Sequence, residues 1–431
     1  MTKIIGVLLV LVSLSFSRDK QNASFVKVNG KTFEIDKKPY YYIGTNYWYG
    51  AIIASTGEGG NRPRLLKELD FMKSIGINNL RVLSGAEGPD NEPFRVTPTL
   101  QLSPGNYNDT LLDGLDFLLA EMQKRGQRAI LYLNNAWDWS GGYAQYLNWN
   151  GYGSIPYPSV KHEWGSFIQY CKQFIPCEKC KEEYKAHLKF MLSRTNRYTH
   201  IKYTDDPTIM TWEIANEPRA FSNENIPAFT QWIKETAAYI KSLDKNHLVT
   251  TGTEGQHGCE ESMELFEKIH ADPNIDYLTM HIWPKNWRWL DPADIPGTLE
   301  KSIENTNIYM QHHMEIARKL NKPIVLEEYG LPRDKHGYSP DEPITCRNKY
   351  YENSFAKLLE SESHKDALSG CNFWTFSGTA RPKPGQIFWK KGDDYMGDPP
   401  VEEQGLNSVY DSDSTTIELI KKYNERIIHI K

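Results

Sequence analysis

Cysteine is scarce in this sequence, with six in 431 residues, at positions 171, 177, 180, 259, 346 and 371. That density excludes a fold held together by a disulfide framework, which staples short chains at close intervals. Cys177 and Cys180 form the one close pair, and no second Cys or His pair follows at comparable spacing. A structural zinc site is therefore not expected. A thioredoxin-like setting for this Cys-x-x-Cys is also missing, which leaves a loop disulfide as its reading. No basic block occurs anywhere, and the formal net charge is −5. Nucleic acid is thus not expected as a partner.

Long apolar runs are nearly absent. The single one, residues 4–16, follows Lys3 and ends at Ser15-Phe16-Ser17. It is too short to span a bilayer comfortably, since a span needs about 20 residues. A basic start, a short apolar stretch and a small-residue exit read as a secretory signal over residues 1–17. The expected mature chain is then 18–431, secreted or periplasmic, with no membrane attachment. No cysteine directly follows the run to carry a lipid.

Repeats and low-complexity linkers are lacking too, so nothing divides the mature chain into separate domains. What is present is alternation. Strand-like runs fall at 41–46, 79–83, 128–133, 209–213, 248–252, 277–281, 323–328 and 370–376. Helical patterns follow at 64–75, 111–125, 182–194, 227–243, 262–270, 299–320, 350–360 and 414–426. Apolar residues recur at three- and four-residue spacing, as in Leu115, Leu118, Leu119 and Met122. Gly76 and Gly126 sit where helix C-caps belong. Eight such units in one chain imply an α/β fold, a single (β/α)8 TIM barrel. An open doubly wound sheet would carry a Gly-rich phosphate turn after its first strand. Here that turn reads Gly44-Thr45-Asn46-Tyr47-Trp48 instead. The longest loops, 134–181 and 377–411, fall on the C-terminal face, where barrel active sites are built.

Two strands end in carboxylates on that face. The fourth runs into Asn216-Glu217-Pro218-Arg219, and the seventh ends Glu327-Glu328-Tyr329-Gly330. Strands four and seven lie across the mouth of a barrel from one another. Paired carboxyls so placed are what glycosidic bond cleavage requires, one to protonate the leaving oxygen and one to attack or to activate water. Sequence does not measure the gap that separates those two outcomes. An acidic residue is by default a solvated or ion-paired one, and two at matching strand ends outweigh that default. Aromatic residues make up 12% of the chain, and their flat faces suit sugar rings.

With these strings on the page, the chain resembles glycoside hydrolase family 5, of clan A, and within it the endo-β-1,4-mannanase branch. The likeness rests on Asn216-Glu217-Pro218-Arg219 and Glu328-Tyr329-Gly330. Gly44-Thr45-Asn46-Tyr47-Trp48, Asn134-Asn135-Ala136-Trp137 with Gly141-Gly142, and Glu254-Gly255 extend it over nearly the whole mature chain. The resemblance implies Glu217 as acid/base and Glu328, directly before the aromatic-Gly pair, as nucleophile. Glu327 is then expected in a structural salt bridge on the opposite strand face, and Glu213 is expected to point elsewhere in the barrel. It further implies Arg81 holding the nucleophile ionised, Asn216 on the sugar 2-hydroxyl and His281 lining the cleft. Trp374 becomes the platform at the cleavage point, and Arg219 a contact on the leaving-group side. Trp283 departs from the pattern, because many relatives carry Tyr there. Its indole N–H can donate but cannot accept or relay a proton.

The implied activity is retaining endo-hydrolysis of β-1,4-mannan, galactomannan or glucomannan, with no metal or organic cofactor. A neighbouring anion is expected to raise the Glu217 pKa. Three alternatives stay open: an endo-β-1,4-glucanase, an exo-β-mannosidase, and a non-catalytic carbohydrate-binding barrel. The last expects one catalytic glutamate to be replaced, and both are present.

Overall fold

A computed structural model describes residues 24–429; the expected signal, residues 1–17, lies outside them. Its centre is eight parallel strands: β1 (Tyr42–Asn46), β2 (Asn79–Leu83), β3 (Arg128–Tyr132), β4 (Ile209–Glu213), β5 (Leu248–Thr250), β6 (Leu278–Ile282), β7 (Ile324–Tyr329) and β8 (Leu368–Phe373). Every one of these strands is fully buried along its length except at Arg128. That explains why they read as continuous rather than alternating apolar runs. The hydrogen-bonded order runs β5-β4-β3-β2-β1-β8-β7-β6. Between β5 and β6 no ladder forms among the described residues. The seam is joined by single bonds, Asp276 N to Val249 O (2.8 Å), His281 N to Glu254 O (3.1 Å) and Thr279 Oγ1 to Thr253 O (2.9 Å). The TIM-barrel expectation holds.

Eight helices cover the strands: α1 (Arg62–Ser74), α2 (Asp109–Arg125), α3 (Glu178–Leu192), α4 (Ile226–Leu243), α5 (Met263–His270), α6 (Ile295–Leu320), α7 (Thr345–Ser363) and α8 (Ser414–His429). The cap chemistry is local. Asn61 and Asn108 accept backbone N–H groups at the starts of α1 and α2. Gly126 ends α2 at φ 70°, the left-handed conformation that glycine adopts without strain. Cys177 and Cys180 are disulfide-bonded at the start of α3, and Cys171, Cys259, Cys346 and Cys371 are buried free thiols. No helix among the described residues is long and apolar enough to cross a membrane.

One element had no counterpart in the strand pattern. Lys27–Asn29, Thr32–Ile35 and Lys38–Tyr40 form an antiparallel three-stranded sheet ahead of β1. Its Val26, Phe33 and Tyr40 pack with Tyr42, Ile130, Met210, Leu248, Tyr277 and Val325, which close the N-terminal floor of the barrel. Burying side chains of this size stabilises by about 1.5–3 kcal/mol each.

Candidate active site

Arg81 is the fixed point of the site. It lies on β2, fully buried, with its guanidinium 4.5 Å from the Tyr132 ring. Five donors in a rigid fork let one arginine hold several strands at once. Its Nε donates to Glu213 of β4 (2.9 Å) and Nη2 to both Glu213 and Asn216 (2.8 Å to the latter). Nη1 donates to Asn46 of β1 (3.1 Å) and to Glu328 of β7. Glu213, expected to point elsewhere, is therefore a direct partner of the arginine that holds Glu328. Side-chain alternation along β4 does not separate them, because the long guanidinium reaches the strand interior as well as its end. Burial pushes the Glu213 carboxyl up to about 8 despite Arg81.

Glu217 and Glu328 meet as the strand positions imply. One carboxylate oxygen of Glu217, one of Glu328 and a ring nitrogen of His281 all lie within 4.8 Å of one another. Glu217 leaves β4 through a turn with φ 52°, a conformation that costs a non-glycine residue of order 1–3 kcal/mol. Hydrogen bonds from Glu217 N to Gly252 O (2.9 Å) and from Asn216 N to Asn134 O (2.8 Å) fix that turn. Glu217 Oε1 accepts from His281 Nδ1 (2.8 Å), and its Oε2 accepts from Trp137 Nε1. His281 Nδ1 also lies 3.5 Å from Glu328, and its Nε2 lies 3.6 Å from Glu327. Glu327 is 3.8 Å from Arg81, so it forms a longer ion pair rather than a hydrogen-bonded one.

The electrostatics depart from expectation. Burial raises Glu217, but the hydrogen bond and charge of His281, with Arg219 and Trp137, bring it below the ordinary carboxylate value. Burial dominates at Glu328 and holds it above that value, with His281 and Arg81 opposing. The sequence offered no way to see that His281 sits between the two. Burial lowers the His281 pKa, yet Glu328, Glu217 and Glu327 together push it up to about 10. Its folded value thus exceeds the ordinary 6.5. The charge then stabilises the fold fully below about pH 6.5, and that contribution is lost as pH rises through about 10. A His281→Asn variant is expected to lose most stability relative to wild type near pH 6. The difference should shrink toward pH 10 in urea midpoints; a gap that widens with pH would contradict the assignment.

The remaining expected residues cluster here as well. Asn216, 3% exposed, is held by Arg81 and by Asn135 Oδ1 (3.2 Å). Arg219 Nε donates to Glu254 (2.9 Å), and its guanidinium lies 5.3 Å from the Trp137 ring. Trp374 and Trp283 meet edge to face at 5.9 Å. Three residues escaped assignment by sequence: Trp137, Glu254 and Asn46. All three lie in the sequence motifs, but only their contacts with Glu217, Arg219 and Arg81 give them a role.

A TIM barrel with opposed, buried glutamates at β4 and β7, wrapped in tryptophan, defines a glycoside hydrolase. The match to known families narrows this. Residues 23–431 fit the model described as GH family 5 beta-mannosidase-like, and the chain belongs to that family. It is 32% identical over 366 residues to mannan endo-1,4-beta-mannosidase 7 of Arabidopsis thaliana, covering 82% of this chain and 78% of that protein. A variant of the family 5 mannosidase from Rhizomucor miehei, solved in complex with mannosyl-fructose, superimposes with a TM-score of 0.87 at 34% identity, over 95% of this chain and 98% of that one. The endo-beta-1,4-mannanase from Thermotoga petrophila gives 0.65 at 26% identity, over 92% and 78%.

Proposed function

We propose that this enzyme is a retaining endo-β-1,4-mannanase, exported from the cell, that cleaves mannan, galactomannan or glucomannan by double displacement. The observation that supports the mechanism is the closeness of Glu217 and Glu328, which each bring one carboxylate oxygen within 4.8 Å of the other. Retention uses carboxyls about 5–5.5 Å apart, whereas inversion leaves about 6.5–9.5 Å for a water. The approach of the two carboxylates favours the retaining reading.

In the first step Glu328 attacks the anomeric carbon while Glu217 gives its proton to the departing oxygen. In the second, water loses a proton to Glu217 and its oxygen displaces Glu328. In the free site Glu217 accepts the 2.8 Å bond from His281 Nδ1; the first step uses Glu217 in its protonated form. Arg81 meanwhile keeps positive charge against Glu328, and Asn216, held by Arg81 and Asn135, is the residue assigned to the sugar 2-hydroxyl. Mannan as substrate is supported by the names of the relatives and by the mannosyl-fructose bound to the Rhizomucor miehei enzyme. Export is supported by the apolar run at residues 4–16.

Product analysis on galactomannan, unbranched β-1,4-mannan, carboxymethylcellulose and mannohexaose tests the reading. Falling viscosity with mixed manno-oligosaccharides is expected, and Glu217→Gln should abolish it. Cleavage confined to cellulose would sink the mannan assignment. Release of mannose alone would establish the second reading, exo-β-mannosidase.

A further inference from the structure

Trp164 is a large apolar side chain that the fold leaves in the open. It begins the short helix Trp164–Cys171 in the long loop after β3, and it is 55% exposed. An indole costs free energy in water, and this one is not isolated. Its ring lies 5.7 Å from that of Trp137, at right angles to it. Trp137 in turn donates to Glu217 and carries the Arg219 guanidinium 5.3 Å from its ring. Glu217, Trp137 and Trp164 thus form a continuous row running outward from the acid/base. The row starts at the carboxyl that protonates the departing oxygen, so it follows the part of the substrate that leaves.

We propose that Trp164 is a stacking platform for the leaving-group portion of a β-linked hexose chain, one sugar unit beyond the pair Trp137 and Arg219. The proposal rests on Glu217 being the acid/base, and it holds for endo and exo action alike. A sugar ring offers an apolar C–H face that an exposed indole covers, as aromatic faces cover other flat ligands. The 5.7 Å between ring centres is a step comparable to one hexose. Trp137 already carries Arg219 and lies against Phe167 and Phe221, so Trp164 is the ring of the two left open to the chain.

The experiment compares wild type, Trp164→Ala and Trp164→Phe on mannohexaose and on p-nitrophenyl β-mannoside, whose leaving group ends short of Trp164. Removing the indole should lower kcat/KM on mannohexaose about five- to tenfold, mainly through KM, as loss of one aromatic contact implies. Phenylalanine should restore most of it, and the aryl mannoside should change less than twofold. Equal losses on both substrates would show a structural role and overturn the proposal, and so would no loss on either. If wild type itself does not turn over mannohexaose, the mannanase reading fails first. Turnover by wild type with an unaltered Trp164→Ala variant sinks the subsite alone.

Discussion

Glu328→Gly is expected to lower turnover of β-mannosides on the order of 10^5-fold, and added azide should restore it with inverted product. Removing the side chain empties the space beneath the anomeric carbon. Azide enters there, attacks from the face Glu328 used, and gives the α-mannosyl azide. Glu217 still protonates the leaving oxygen, so the rescued reaction should tolerate a poor leaving group. The companion Glu217→Ala should behave differently. With a dinitrophenyl leaving group that needs no acid, the glycosyl-enzyme still forms, and azide then displaces Glu328 to give the β-mannosyl azide. The stereochemistry, read by NMR, assigns each carboxyl independently of rate. An α product from the Glu217 variant, or a β product from the Glu328 variant, would reverse the two roles.

Arg81→Met is the substitution expected to cost most stability. It leaves Glu213, Glu328 and the more distant Glu327 buried without their shared cation. Breaking a buried pair by removing one partner costs about 3–5 kcal/mol. Part of that cost can be relieved by protonation. Glu213 already holds its proton up to about 8 and Glu328 lies above the ordinary carboxylate value, and without Arg81 these two rise further. A carboxyl raised above its unfolded value stabilises the fold fully below about pH 4.5 and loses that contribution as pH rises through the folded value. The deficit of Arg81→Met in urea unfolding should therefore be smallest near pH 5 and largest above pH 8. A uniform deficit across that range would mean the arginine acts by packing against Tyr132 rather than by charge.

The barrel was legible because its strands are short apolar runs separated by amphipathic helices, and Gly76 and Gly126 marked two joints. The pair Glu217 and Glu328 was legible because strand ends of a barrel carry function and their flanking strings are distinctive. Three things were not. The floor sheet escaped because Lys27–Asn29, Thr32–Ile35 and Lys38–Tyr40 are three or four residues each, with charged residues in every one. Glu213 was misplaced because strand alternation says which way a side chain points and not how far a partner reaches. The pKa order of the two glutamates was missed because His281 is far in sequence from both neighbours' strings, and only the closed barrel brings its Nδ1 between them.

The floor sheet also sets a boundary on handling and maturation. Trimming from the front first strips Ser24 from Arg128 and Phe25 from His247, and past Val26 the cut removes the stopper and bares the apolar inner ends of β1, β3, β4, β5, β6 and β7 to water. A protease nick inside residues 27–40 would turn a sealed vessel into an open-ended tube, and aggregation rather than lost chemistry would be its first sign.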